Sequence, residues 1–181
     1  EKYRTQHGEL HTHIEYESPA SIFWDDEKYH VDAYATYSWA TYAAEVEVDL
    51  NTYEIALKDF VALQEVGRVV NPVMAAGQIE GGVAQAIGYT LYEKVVWENG
   101  AMRNNQMTNY IMPTSVDLCD IRVHFLENPF PHGPGGAKGI GELPMDGVAP
   151  AILNAAEMAL GIELNSIPLL PEDLHRACIA Q

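Results

Sequence analysis

Two glycine-rich segments carry the side chains whose types and spacing could do chemistry. The later one reads Gly135-Gly136-Ala137-Lys138-Gly139-Ile140-Gly141-Glu142, then Leu143-Pro144. Glycines let a backbone take unusual dihedrals and present N–H groups to a ligand. Glu142 falls at the mouth of a helix, near its positive end. A Gly-rich loop feeding a helix is a ready anion cradle, although no Lys-Ser/Thr pair closes this one into a P-loop. A surface loop whose glutamate caps a helix accounts for the same residues. The earlier segment reads Gly77-Gln78-Ile79-Glu80-Gly81-Gly82-Val83-Ala84-Gln85-Ala86-Ile87-Gly88-Tyr89. Gln78 and Gln85 are seven apart and share one helical face. Glutamine both donates and accepts, which suits a flat heterocycle. A tightly packed helix with solvated amides is the alternative.

Other candidates say less. His7, His11 and His13 lie in a polar lead-in, and His11 and His13 share a face if it is extended. A divalent-metal site needs three or four converging ligands, so a solvated strand explains them as well. His132 lies near the Gly-rich loop. Glu45, Glu47 and Asp49 form an acidic row, the wet face of an edge strand. Tyr89 and Tyr92 read as core or interface residues.

The elements that must position these groups follow from the patterning. Val31–Asp49 has strand character, ending in the alternation Glu45-Val46-Glu47-Val48-Asp49. Asn51-Thr52-Tyr53 makes a turn, and Ile55, Leu57, Phe60 and Leu63 continue as a second antiparallel strand. Asn71-Pro72 is an N-cap followed by a first helical position. A helix then runs from Val73 to about Lys94. Its glycines cost about 1 kcal/mol each relative to Ala, so something approaches its backbone closely. Glu98-Asn99-Gly100 is a turn, and Ile121, Val123 and Phe125 form a strand. Glu127–Glu142 is a loop. Pro144–Leu160 is a helix stopped by Gly161, and Pro171–Ile179 is a final helix. The expected class is α+β, with antiparallel strands packed in two layers against the glutamine helix and the helix after Glu142. Residues 1–30 form an extended lead-in and residues 31–181 the folded portion.

The 181 residues are 48% hydrophobic and 20% charged, enough for one ordinary core. The net charge of −16 leaves no basic surface to track phosphates, which argues against nucleic acid and against an anionic membrane. No apolar run reaches spanning length, and no charged start precedes an apolar stretch as in a signal peptide. Cys119 and Cys178 lack the spacing of zinc or iron–sulfur sites; one disulfide is allowed but unforced. A cytoplasmic location is the expectation.

Together, and in this order, the segments are more specific than either alone. Asn71-Pro72 followed by Gly77-Gln78-Ile79-Glu80-Gly81-Gly82 resembles the pterin-contacting segment of the molybdenum hydroxylases, the xanthine dehydrogenase and aldehyde oxidase family. Gly136-Ala137-Lys138-Gly139-Ile140-Gly141-Glu142, with Leu143-Pro144 and an Ala-rich helix behind it, resembles that family's active-site loop. Tyr42-Ala43-Ala44-Glu45-Val46-Glu47-Val48-Asp49 resembles the strand before the first segment. Ile167-Pro168-Leu169-Leu170-Pro171-Glu172 resembles its closing stretch.

The resemblance implies the C-terminal part of a molybdenum-cofactor-binding subunit and of a larger molybdopterin-binding domain. The implied reaction is oxidative hydroxylation of a small molecule, a purine-like N-heterocycle or an aldehyde, with water as oxygen source. The molybdenum–molybdopterin cofactor would be shared with a larger partner chain or N-terminal remainder, and the metal would take no protein ligand. By position, Glu142 would be the general base. Gln78 would contact the pterin, with Gln85 on the same surface, and the backbone of Lys138, Gly139, Ile140 and Gly141 would line the cofactor side. Iron–sulfur clusters and FAD would sit on partner chains or domains. The chain lacks the family's earlier pterin-binding loops, so it should act only when docked, through exposed apolar surface. Two other readings stand beside this one: a related non-catalytic binding or assembly module without cofactor, and an unrelated anion-binding domain using the 135–141 loop.

Overall fold

A computed structural model describes residues 2–9, 11–29 and 33–180, which fall into two units, 1–36 and 37–181. In the first unit, α1 (Lys2–His7) is helical where an extended lead-in is expected, and it buries none of its residues. Of the strand expected from Val31, the first two residues lie outside the described ones, and pairing begins only at Trp39.

In the second unit, β1 (Trp39–Val48) and β2 (Ile55–Glu65) form the expected antiparallel hairpin, from Trp39 opposite Glu65 to Val48 opposite Ile55. Asp49 closes its turn by accepting the Asn51 N–H at 2.8 Å. Residues of β1 alternate between exposed and half-buried, so Glu45 and Glu47 do face water. At the head of α2 (Pro72–Leu91), the Asn71 side chain accepts the Met74 N–H at 3.2 Å. This bond satisfies one of the orphan donors of the first turn. Short strands β3 (Trp97–Glu98) and β4 (Ala101–Met102) flank the Asn99-Gly100 turn.

Strand β5 (Ile121–Phe125) completes the sheet in the order β1-β2-β5. It pairs parallel to β2, Phe60 opposite Ile121, so the sheet is mixed rather than wholly antiparallel. The helix expected over Pro144–Leu160 is two: α3 (Leu143–Asp146) and α4 (Val148–Leu160), broken at Gly147. The residue at the break must be glycine, because a Cβ on Gly147 would run into the ring of Tyr42 on β1. Gly161 stops α4 in the left-handed conformation, and α5 (Pro171–Ile179) opens with Glu172 and Asp173 as expected.

The core lies between one face of the sheet and the helices. Phe60 and Ala62 meet Ile79, Val83, Ile87, Val148 and Ile152, all fully buried. The architecture is the α+β arrangement expected. Cys119 and Cys178 are free thiols. Among the described residues no three or more His, Cys, Asp or Glu converge to hold a metal, and no helix is long and apolar enough to cross a membrane.

Candidate functional site

The two glycine-rich segments meet. The amide of Gln78, on the second turn of α2, donates to the Gly141 carbonyl at 3.0 Å. Between them lies a cleft of about 460 Å³. It is lined by Val66, Arg68, Val69, Val70 and Asn71 after β2, by Met74, Ala75 and Gln78 of α2, and by Ala137, Lys138, Ile140 and Gly141 of the loop. The volume lies within the range of small-molecule sites, and the walls are mainly apolar with a few polar groups, as in such sites. Val70 and Met74, on its wall, are largely exposed.

The loop is pinned on one side by backbone and charge. The Lys138 N–H donates to the Val66 carbonyl at 2.8 Å, and the Arg68 N–H donates to the Gly136 carbonyl at 2.8 Å. The Lys138 side chain turns away from the cleft into the protein. Its ammonium sits 2.6 Å from Glu65 Oε2 and donates to the Tyr37 carbonyl at 3.1 Å. Both partners are nearly buried, at 5% and 8% exposure. Burial pushes the Glu65 carboxyl up, but the Lys138 ammonium and the Gly67 N–H outweigh it and hold Glu65 below its ordinary range. Lys138 therefore lines the cleft while its charge is committed to the foundation beneath it.

The other end of the loop carries Glu142. It is exposed, stands at the N-cap of α3 without capping it through its side chain, and follows Gly141 at the lip of the cleft. The carbonyls on either side of it accept from side chains. Besides Gln78 on Gly141, the Tyr42 hydroxyl donates to the Leu143 carbonyl at 2.5 Å. The Tyr89 hydroxyl donates to the Met145 carbonyl at 2.8 Å. Burial raises the pKa of both phenols, so they stay protonated donors. Beside Tyr42 lies Gln64, fully buried, with neither amide atom in a hydrogen bond. It is near enough to temper that phenol's rise without reaching bonding geometry.

Of the residues expected from sequence, Gln78, Lys138, Ile140 and Gly141 line one cleft and Glu142 follows at its edge. Gly139 sits in the same stretch, where its carbonyl accepts from the Ser38 hydroxyl at 2.6 Å. Gln85 is exposed two turns farther along α2 and does not line the cleft. Sequence reasoning missed Arg68, Val70 and Met74 on the wall. All three lie within three residues of the Asn71 cap, so the helix start was the signal that could have found them. It also missed Tyr42 and the role of Tyr89.

The sequence model of the molybdopterin cofactor-binding domain matches residues 2–119, which include β1, β2 and all of α2. The xanthine dehydrogenase molybdenum-binding subunit of Escherichia coli O157:H7 is 34% identical over 133 residues, 72% of this chain and 18% of that protein. Quinoline 2-oxidoreductase from Pseudomonas putida 86 superposes with a TM-score of 0.73 at 38% identity, over 77% of this chain and 18% of that one. The aldehyde oxidoreductase of Desulfovibrio desulfuricans gives 0.78 at 29% identity, over 87% and 17%. The chain thus spans about a fifth of the length of the proteins it matches. With that match running through the hairpin, the segment after it and the glutamine helix, the chain belongs to the molybdopterin cofactor-binding domain family, that of the xanthine dehydrogenase molybdenum-binding subunits and aldehyde oxidoreductases.

Proposed function

We propose that this chain forms one wall of the active site of a molybdenum hydroxylase acting on an N-heterocycle or an aldehyde, with Glu142 as general base. The observation that carries the reading is the Gln78–Gly141 hydrogen bond, which brings the glutamine helix and the glycine loop to one cleft, one residue from Glu142.

The residues present fit a pterin. The cleft offers mainly apolar walls for a flat ring, and an amide and loop backbone for its polar edge. Gln78 gives one of its two N–H groups to Gly141, which leaves the other and the amide oxygen for a ligand. Lys138, Ile140 and Gly141 would hold the cofactor through backbone groups. When bound, the molybdenum–pterin centre supplies the two-electron oxidation. Glu142 would take up a proton at a carboxylate oxygen as the substrate is hydroxylated with oxygen from water, and its exposure at the lip lets substrate reach it. The exposed Val70 and Met74 on the cleft wall, with exposed Val73 beside them in sequence, favour coverage by a larger chain, which would supply the opposite wall. Electrons would leave through iron–sulfur and flavin groups on partner domains.

The test is to isolate the chain in its native assembly, measure molybdenum and pterin, and assay purines and aldehydes in ¹⁸O-labelled water. The reading expects stoichiometric molybdenum and pterin, with label in the product. A stable native assembly lacking both would sink it and leave the non-catalytic binding module.

A further inference from the structure

We propose that Tyr42 and Tyr89 are positioning residues for Glu142: two phenols, one from each layer of the fold, that hold the turn carrying the base. This rests on the reading of Glu142 as base given above.

Three alternate carbonyls bracket Glu142, those of Gly141, Leu143 and Met145, and each accepts from a different side chain. Gln78 and Tyr89 reach the turn from α2, while Tyr42 reaches it from β1 on the sheet. Two close approaches reinforce the grip. A Cβ on Gly82 of α2 would lie 2.5 Å from Cβ of Pro144, so that helix meets the turn directly. The Tyr42 ring lies against Gly147 at the turn's far end. The turn is thus fixed against both layers at residues 141, 143, 144, 145 and 147, with Glu142 and Asp146 as its exposed acidic side chains.

A helix of four residues satisfies few of its own carbonyls, so a purely structural role for the phenols is the competing account. The two differ in what they predict. Loss of a hydroxyl that merely satisfies a carbonyl lowers stability. Loss of one that aims a base lowers turnover, because misplacement by about 1 Å costs up to ~10²-fold in rate.

The experiment uses the complete holoenzyme. Tyr42→Phe keeps the ring against Gly147 and removes only the donor; Tyr89→Phe leaves β1 untouched. For each variant, molybdenum per subunit, kcat, KM, the acid limb of the kcat/KM profile and deuterium uptake over 139–147 are measured. The proposal expects a fall in kcat of about tenfold at unchanged molybdenum and KM. It also expects a displaced acid limb and faster exchange confined to 139–147. Where Tyr42→Phe fails to load molybdenum, Tyr89→Phe carries the test. Turnover within about twofold of the parent in loaded variants, with Glu142→Gln crippled, overturns this assignment alone; loss of molybdenum from both variants overturns it in favour of a structural role. An unaffected Glu142→Gln sinks the base reading and this assignment with it.

Discussion

The two ends of the glycine-rich loop are held in opposite ways. Residues 136–138 are anchored by a buried ion pair and by backbone pairing along 66–68. Residues 141–147 are held by neutral donors from Gln78, Tyr42 and Tyr89 and by glycine contacts. The difference teaches a division of labour. A buried charge pair fixes position strongly but depends on pH. Neutral donors fix orientation without adding a charge of their own beside Glu142, the proposed base. The lysine of the loop, which its glycine-rich setting would point at an anionic ligand, belongs to the foundation.

The largest effect separating the two ends should come from Glu65→Ala. It leaves the Lys138 ammonium buried and unpaired, and breaking such a pair costs about 3–5 kcal/mol. Thermal unfolding of the holoenzyme should register that loss. The sign with pH follows from the depressed carboxyl. Glu65 titrates near 4.5 when unfolded and lower when folded, so the pair's contribution is full above that value. It is lost as pH falls through the folded value. An acid series of melting curves should show a smaller loss in Glu65→Ala than in the parent, because Asp49, Asp59 and Asp117 are also held below their ordinary range and keep their share of it. A melting temperature independent of pH across that window in the parent would remove the electrostatic half of the comparison.

At the other end, Gly82→Ala forces a methyl into Pro144 and should destabilise by about 1–3 kcal/mol, the usual cost of overpacking. Unlike Glu65→Ala, its cost should not change with acid. A denaturant midpoint unchanged from the parent would show that α2 and α3 separate freely. The smallest effect sharpens the choice between the two glutamines. Gln78→Leu should weaken pterin retention about three- to tenfold, the worth of one ordinary hydrogen bond. Gln85→Leu, on a residue outside the cleft, should leave retention unchanged. Equal retention in both would remove Gln78 from the cofactor surface.

What could be read in the sequence was what local pattern decides. Asn71-Pro72 marks the head of α2, and the period-two run at 45–49 marks the hairpin, because capping and alternation act over a few residues. The helix glycines carried their message only in part: Gly82 meets Pro144 and Gly88 meets the Glu93 side chain, while Gly77 and Gly81 have no neighbour within 4 Å. What stayed hidden depends on distant partners. The break falls at Gly147, where Tyr42, more than a hundred residues earlier, leaves no room for a side chain, and the residues from Pro144 onward read as one helix without that contact. The parallel pairing of β5 has no signature in five alternating residues. Family resemblance placed Gln78 and Glu142 on the same site. Only the fold shows that Gln78 reaches the loop and that Gln85, on the same helical face, does not line the cleft.

The most direct test of the central claim is the turnover of Glu142→Gln in the complete molybdenum-binding subunit, expressed per bound molybdenum. Removing a general base costs about 10²–10⁴-fold, and an exposed carboxylate with no side-chain cap can be lost without unfolding the domain. The account predicts a fall in that range with molybdenum content and melting temperature unchanged. Turnover within about threefold of the parent at full molybdenum would contradict it.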